Sequence, residues 1–422
     1  MGLRVCMISD HGDPLATLGD TQSGGQNQYV YQLSLHLDRL GHQVDVYTHW
    51  SREDAPEVEA FGDCARVIRV AAGKRGHLPK DDLYERLDLF YHELSAKIAT
   101  CGPYDLVHAH YWMSGTLGRV LRRELNYPLI YTPHSLGMVK GLRTGSWDWE
   151  RLWKERSILV EADHVVVTTE TEREHAKEFC GKTATAPISV IPAGVGEHFI
   201  ADPKAESETD DTADRDCGVP VDPNGHRRPY VLYVGRLAME KGLGVLLDAY
   251  SMWVARNPDV PDLWIAGGDR EGREWRRWTA SHAALGELLT TIPDRVHYLG
   301  PVANEKLPQL YRGAEMVVVP SWYESFGLVA AEAMAAGGVV IASGVGGLRH
   351  IVQDGVTGRL VPPRDSGALV KAMDEMWVSP SLRNAFRRKG TRDARRRFFW
   401  PNIAPQVVEV YLGYVKQPVV LP

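Results

Sequence analysis

Short apolar runs alternate with longer amphipathic stretches, stop, and then begin again; this pattern constrains the 422-residue chain more than any other feature. In the first half, "LRVCMIS" (3–9), "VDVYTH" (44–49), "ARVIRV" (65–70), "DLVHAH" (105–110), "PLIYTPH" (128–134), "HVVVTT" (164–169) and "ISVIPAG" (188–194) are rich in valine and isoleucine and bounded by turn residues. They read as buried strands. Between them lie stretches of helical period such as residues 27–42, where Tyr29, Leu33, Leu37 and Leu40 share one face. The pattern restarts with "YVLYVG" (230–235), "DLWIAGG" (262–268), "RVHYLG" (295–300), "MVVVPS" (316–321), "VVIAS" (339–343) and "GRLVPP" (358–363). Such alternation makes parallel sheets covered on both faces, and two runs of it predict an α/β protein with two doubly wound domains.

The expected division is a first domain over 1–200 and a second over 230–402. Residues 201–229 are acidic and poor in apolar side chains, so they read as a surface insertion between the two. The final stretch, 403–422, contains the helical "APQVVEVYLGYV" and is free to pack back on the first domain. A net charge of −6 offers no basic excess for a nucleic acid or a membrane surface, so neither is expected as a partner. The basic run "RRKGTRDARRR" (387–397) reads as a solvated helix face. Five scattered cysteines without C-x-x-C spacing argue for a reducing compartment and against a structural zinc. With no run of about 18 apolar residues and no leader-like apolar start, the expectation is a cytoplasmic protein.

In doubly wound sheets ligands bind beyond the carboxyl ends of the strands, which here carry the unusual residues. "SWYESFGLVAAEAMAAGG" (321–338) sets Glu324 and Glu332 among small and apolar neighbours, where an unpaired carboxylate costs several kcal/mol. Glu324 falls in the loop after a strand and Glu332 inside the following helix. The amides of Ser325, Phe326, Gly327 and Leu328 are donors at the helix start, suited to a phosphate. The axial rise from Gly327 to Glu332 is about 7.5 Å at roughly 1.5 Å per residue, so a phosphate there would have a carboxylate on each side. Those acids would accept hydrogen bonds from the hydroxyls of a ribose and a hexose. The alternative is a helix cap at Glu324 and a buried ion pair at Glu332.

"VGRLAMEKG" (234–242) places Arg236 and Lys241 in a strand-to-helix loop, either as a diphosphate clamp or as solvated surface cations. The Gly24–Gly25 pair before a helix permits close approach of an anion or sugar, or simply a turn. It is not the G-x-G-x-x-G of dinucleotide enzymes, which weakens a hydride-transfer reading. His134 ends the strand of "YTPHSLGMVK", where a structural role is the alternative to a ligand contact. His108 and His110 lack a third ligand for zinc, and Tyr111 ends their strand. Both sets of strand ends are expected to face a shared cleft.

Taken together, "SGGQNQYV", "HAHYWMSG", "YTPHSLGMVK", "VGRLAMEKG" and "ESFGLVAAEAMAAG" resemble the family-four retaining glycosyltransferases of the GT-B fold, Glu324 and Glu332 matching their E-x7-E motif. The resemblance implies a nucleotide-diphosphate sugar as donor, UDP-glucose by inheritance, with no metal and no separate cofactor. It implies that Arg236 and Lys241 neutralise the departing diphosphate, Glu332 holds the ribose and Glu324 the hexose. The backbone of Phe326, Gly327 and Leu328 would meet the distal phosphate, Gly25 would border the donor, and His134 would lie by the anomeric carbon. A front-face reaction follows, in which the leaving phosphate oxygen takes the acceptor proton.

On the acceptor side, "HSLG" with Lys140, and "SGGQ", are similar to sucrose-phosphate synthases, which use fructose 6-phosphate. "HLPKDDL" and "HYWMSG" are equally similar to bacterial transferases that glycosylate inositol phosphate. Either implies a phosphorylated acceptor held by Lys80, Arg151 and Tyr111, with Gly25, Gln26 and His134 at its hydroxyls. Fructose 6-phosphate is the first expectation and inositol phosphate the second. One departure is Glu150–Arg151, where some sucrose-phosphate synthases carry two arginines. Other classes that share the expected fold or the diphosphate site are a nucleotide-sugar epimerase and a non-catalytic nucleotide-sugar sensor.

Overall fold

The computed structural model describes residues 2–16, 24–200, 228–269, 271–281 and 295–415. Most of the acidic stretch 201–229 and the end of the chain therefore lie outside the described residues. The described chain divides into two compact units, one running to Ala193 and resuming at Trp400, the other spanning Gly194–Phe399.

The first unit is built on eight strands: β1 (Arg4–Ile8), β2 (Gln43–His49), β3 (Val58–Ala60), β4 (Ala65–Val70), β5 (Leu106–His110), β6 (Leu129–Thr132), β7 (His164–Val167) and β8 (Ile188–Val190). Their order is β3-β4-β2-β1-β5-β6-β7-β8. All pairings are parallel except the edge pair β3–β4. Central β1 pairs Val5 with Val44 on one side and with Leu106 on the other. Runs of Val, Ile, Leu and Met are buried on both faces here, as a sheet covered by helices requires. Strand β3, "VEA", has no apolar pattern to announce it; as a short, exposed antiparallel piece it blunts the sheet edge.

The helix Trp400–Leu412 brings the chain back to this unit and packs along the helix Gly25–Arg39. Trp400, Ile403, Ala404, Val407 and Tyr411 are its buried stripe. The Trp400 ring stacks on His36 and meets Tyr29 edge-on. The Tyr411 hydroxyl lies 2.6 Å from His108 Nδ1, while His108 Nε2 is 2.9 Å from Thr132 Oγ1. His108 is thus a fully used core histidine that ties the returning helix to the sheet.

The second unit carries β9 (Tyr230–Val234), β10 (Asp262–Ala266), β11 (Val296–Gly300), β12 (Met316–Val319), β13 (Val340–Ser343) and β14 (Gly358–Val361), in the order β11-β10-β9-β12-β13-β14. Every pairing is parallel. Leu246, Tyr250, Trp253, Ile265, Val318, Ile341, Met373 and Phe386 fill the core, each burial worth about 1.5–3 kcal/mol for an aliphatic or aromatic side chain. The basic run 387–397 lies on the helix Pro380–Arg397, with Asp393 pairing Arg396 and Arg397 at 3.0 and 2.7 Å.

Both sheets are the doubly wound α/β architecture that the alternation predicts. In each, the chain leaves the central strand in one direction and later returns on its other side. The crevice outside the carboxyl ends therefore opens between β1 and β5 in the first unit and between β9 and β12 in the second. Among the described residues no helix is long and apolar enough to cross a membrane.

Candidate active site

In the second unit four loops leave the carboxyl ends of β9, β10, β12 and β13, and glycines let them pack backbone against backbone. Gly242 has φ +71°, and a Cβ there would sit 1.9 Å from the Pro320 carbonyl oxygen; Gly267 has φ +135°, and its Cβ would meet the Gly235 carbonyl oxygen at 1.9 Å. No other residue type fits either place without moving the loops. The loop Gly344–Gly347 closes on the Glu324–Phe326 backbone, Gly347 N donating to Glu324 O at 3.1 Å. Sequence reasoning passed over this "GVGG" run, although paired glycines after a strand were the available signal.

Within this frame the expected donor residues come together in part. Lys241 Nζ lies 2.6 Å from Glu324 Oε2, with both groups about four-fifths buried. Ser321 Oγ adds a longer bond to the same oxygen, 3.4 Å. Glu324 therefore has a protein partner, and it is the expected diphosphate lysine. Arg236 is exposed and reaches Glu240 at 3.3 Å, its carbonyl accepting from Tyr233 Oη. Phe326 is a core side chain set edge-on to Phe398, so only its backbone can face a ligand. Gly327 (φ +105°) precedes the helix Leu328–Ala335, whose start has no side-chain cap.

Glu332 lies inside that helix and accepts from Tyr311 Oη at 3.3 Å. Part of its surface remains open, yet the surrounding protein displaces most water from the carboxyl, and this desolvation pushes its pKa up to about 8. Hence it is largely protonated at neutral pH when no ligand accompanies it. A carboxyl that holds its proton more tightly when folded contributes stability at low pH, and that contribution fades as pH rises from about 4.5 through about 8. Glu332→Gln should remove this slope: calorimetry should show wild type losing melting temperature relative to the variant between pH 5 and 8. Parallel curves would mean that the carboxyl is not desolvated.

In the first unit Gly25 opens the helix Gly25–Arg39, and Gly24 N donates to Asn27 Oδ1 at 3.1 Å. Gln26 Nε2 donates to Ser9 Oγ at the end of β1, 3.1 Å. Tyr111 follows β5 directly with φ +77°, a conformation costing of order 1–3 kcal/mol for a bulky residue and typical of functional sites. Two cations converge on its ring: Lys80 Nζ and Arg151 Cζ each lie 4.9 Å from the centroid. Arg151 is buried, with Nε 2.7 Å from Glu155 Oε1 and Nη2 3.0 Å from Ser135 O. Glu150 turns instead to the Tyr84 hydroxyl.

His134 follows β6 with φ +58°, and its Nε2 is 2.9 Å from His110 Nδ1. Burial, together with the nearby His108 and His11, lowers the His134 pKa to about 3, and burial holds His110 well below its usual value. Asp10 and His11, just after β1, also belong here: His11 lies edge-on to Tyr111 at 4.7 Å and 3.2 Å from Asp10. The "SDHG" that follows the first strand was their only sequence signal. Among the described residues no group of three or more His, Cys, Asp or Glu is arranged to hold a metal ion.

Comparison with known proteins places this geometry. Residues 23–198 match the family model described as Glycosyltransferase Family 4, and residues 221–393 that described as Glycosyl transferases group 1. The chain is 33% identical to the D-inositol 3-phosphate glycosyltransferase of Corynebacterium urealyticum over 99% of its own length and 97% of the relative's. It is 34% identical to the protein of the same name from Xylanimonas cellulosilytica, over 99% and 98%. Among solved structures, sucrose-phosphate synthase from Thermosynechococcus elongatus superposes with a TM-score of 0.86 at 34% identity, over 97% of this chain and 98% of that one. The two doubly wound sheets are those of the GT-B fold, and the chain belongs to glycosyltransferase family 4.

Proposed function

We propose that this glycosyltransferase moves a hexosyl group, with retention, from a nucleotide-diphosphate sugar to a phosphorylated polyol, with inositol phosphate as the first acceptor. The observation that carries a phosphorylated acceptor is the convergence of Lys80 and Arg151 on the Tyr111 ring. A guanidinium already oriented by Glu155 and Ser135 loses little freedom when its remaining N–H groups take a phosphate. Fructose 6-phosphate, the first expectation from sequence, gives way to inositol phosphate because the curated relatives that align along almost the whole chain carry that acceptor in their names. The close superposition on a sucrose-phosphate synthase keeps fructose 6-phosphate as the second reading.

On this reading the bond from the anomeric carbon to the diphosphate oxygen breaks while the acceptor oxygen bonds to the same face. The acceptor proton passes to the leaving phosphate oxygen, so no side-chain nucleophile is needed. Lys241 and Arg236 oppose the charge that grows on the diphosphate, which is electrostatic catalysis of the departing group. Glu332 takes the ribose hydroxyls and Glu324 the hexose, while Leu328 and its neighbours offer amides to the distal phosphate.

The test is an acceptor panel with UDP-glucose: D-inositol 3-phosphate, fructose 6-phosphate, fructose and glucose 6-phosphate, products identified by mass and NMR. The expected product is an axially linked glycoside of inositol phosphate that keeps its phosphate. Sucrose 6-phosphate as the dominant product would replace the first reading by the second. Release of UDP only with unphosphorylated acceptors would overturn both.

A further inference from the structure

His110 and His134 share one hydrogen bond, and their surroundings decide which of them donates it. Both rings are neutral near pH 7, so a single proton lies between His110 Nδ1 and His134 Nε2, 2.9 Å apart. If His134 donated, His110 would have to carry its own proton on Nε2. That atom is buried, and no protein group among the described residues reaches it. It lies on a ring flanked by His108, with centroids 4.2 Å apart, and by Tyr29 at 5.8 Å. A buried N–H without an acceptor is a costlier arrangement than a buried lone pair without a donor. The opposite assignment leaves only a lone pair at His110 Nε2.

From this juxtaposition we infer that His110 donates its Nδ1–H to His134 Nε2 and so fixes His134 in the tautomer that presents Nδ1–H. His134 is only partly buried, and Nδ1 has no protein partner among the described residues. The left-handed backbone at His134, φ +58°, holds the ring in this place. His134 then acts as a hydrogen-bond donor to a hydroxyl oxygen of a bound sugar and never as a base, and His110 is its positioning residue. The same logic is seen where the partner of one imidazole nitrogen sets what the other can do. The substrate part of the inference rests on the reading of His134 as a sugar contact; the tautomer part stands without it.

Long-range proton–nitrogen NMR on protein labelled in its histidine rings reads the tautomer directly, with His134→Gln and His110→Asn used to assign the signals. The expected spectrum has His134 protonated at Nδ1 and bare at Nε2, unchanged from pH 6 to 8. In His110→Leu the His134 signals should move to a mixture of tautomers. UDP release from UDP-glucose with D-inositol 3-phosphate should then lose about tenfold in kcat, the scale of one misdirected hydrogen bond. His110→Asn, which restores an N–H near the Nδ1 position, should recover most of that rate. A packing role alone would move neither the tautomer nor the Leu-to-Asn rescue. His134 protonated at Nε2 in the wild-type protein would overturn the assignment whatever the substrate proves to be. The expected tautomer with no rate difference between the Leu and Asn variants would instead remove His110 as a positioning residue for the reaction.

Discussion

Lys241→Ala should lose about two to three orders of magnitude in kcat while the protein keeps its fold. Charge on the diphosphate develops chiefly as the glycosidic bond breaks, so a cation aimed at it acts mostly in the transition state. Removal of one such preorganised group costs on the order of 10²–10³ in rate. Lys241 is well placed for preorganisation: it ends the short turn Met239–Lys241, and the crowded Gly242 fixes the next residue against Pro320. Glu324, 2.6 Å from the ammonium, holds the side chain in place. Because the pair keeps only roughly a fifth of its surface in water, its loss should cost more than the ~1 kcal/mol of an exposed pair and less than the about 3–5 kcal/mol of a fully buried one. Ser321 still offers Glu324 a hydrogen bond. The measurement is UDP release in steady-state and single-turnover experiments, with a melting curve beside them. A variant with full kcat and a raised donor KM would show that Lys241 binds the ground state and does not help the leaving group depart.

The strands of both sheets could be read directly because a buried parallel strand is a contiguous Val and Ile run, and β1, β9 and β12 stand in the sequence with their turn residues around them. Strand β3 could not, since its three residues bury little apolar surface and its side-chain tie to β4, Glu59 to Arg69 at 2.7 Å, is an ion pair that leaves no apolar run in the sequence. Glu324 and Glu332 could be recognised as exceptional but not matched to their partners. Lys241 is 83 positions from Glu324 and Tyr311 is 21 from Glu332, so only the sheet topology brings them together. The same holds for His108, whose partner Tyr411 is 303 positions away. Arg151 and Glu155 show the reverse case. Their i, i+4 spacing on the helix Trp149–Glu161 was visible, but nothing in it told that the pair is buried. Reading Arg151 only as a ligand group omitted its second task.

That second task makes Arg151→Ala the more drastic substitution for stability. Arg151 and Glu155 are both almost completely buried, 2.7 Å apart, and Glu155 also accepts from Gly137 N at 2.7 Å. Removing the guanidinium leaves a buried carboxylate facing an empty volume, at a cost of about 3–5 kcal/mol. Burial already pushes the Glu155 carboxyl up, with Arg151 and the Gly137 amide pulling the other way. In the variant the pull from Arg151 is gone, so the folded-state pKa rises further. Stability should then be greatest at low pH and fall as pH rises through that pKa, the opposite of a paired carboxylate. Arg151→Ala with Glu155→Gln removes the stranded charge and should recover most of the lost melting temperature at pH 8. This folded double variant is the proper one in which to test binding. Its KM for D-inositol 3-phosphate should rise about ten- to a hundredfold, the scale of a charge-assisted hydrogen bond, while turnover of unphosphorylated inositol stays as in wild type. If the double variant binds the phosphorylated acceptor as tightly as the parent, Arg151 is a structural residue and the phosphate is held elsewhere.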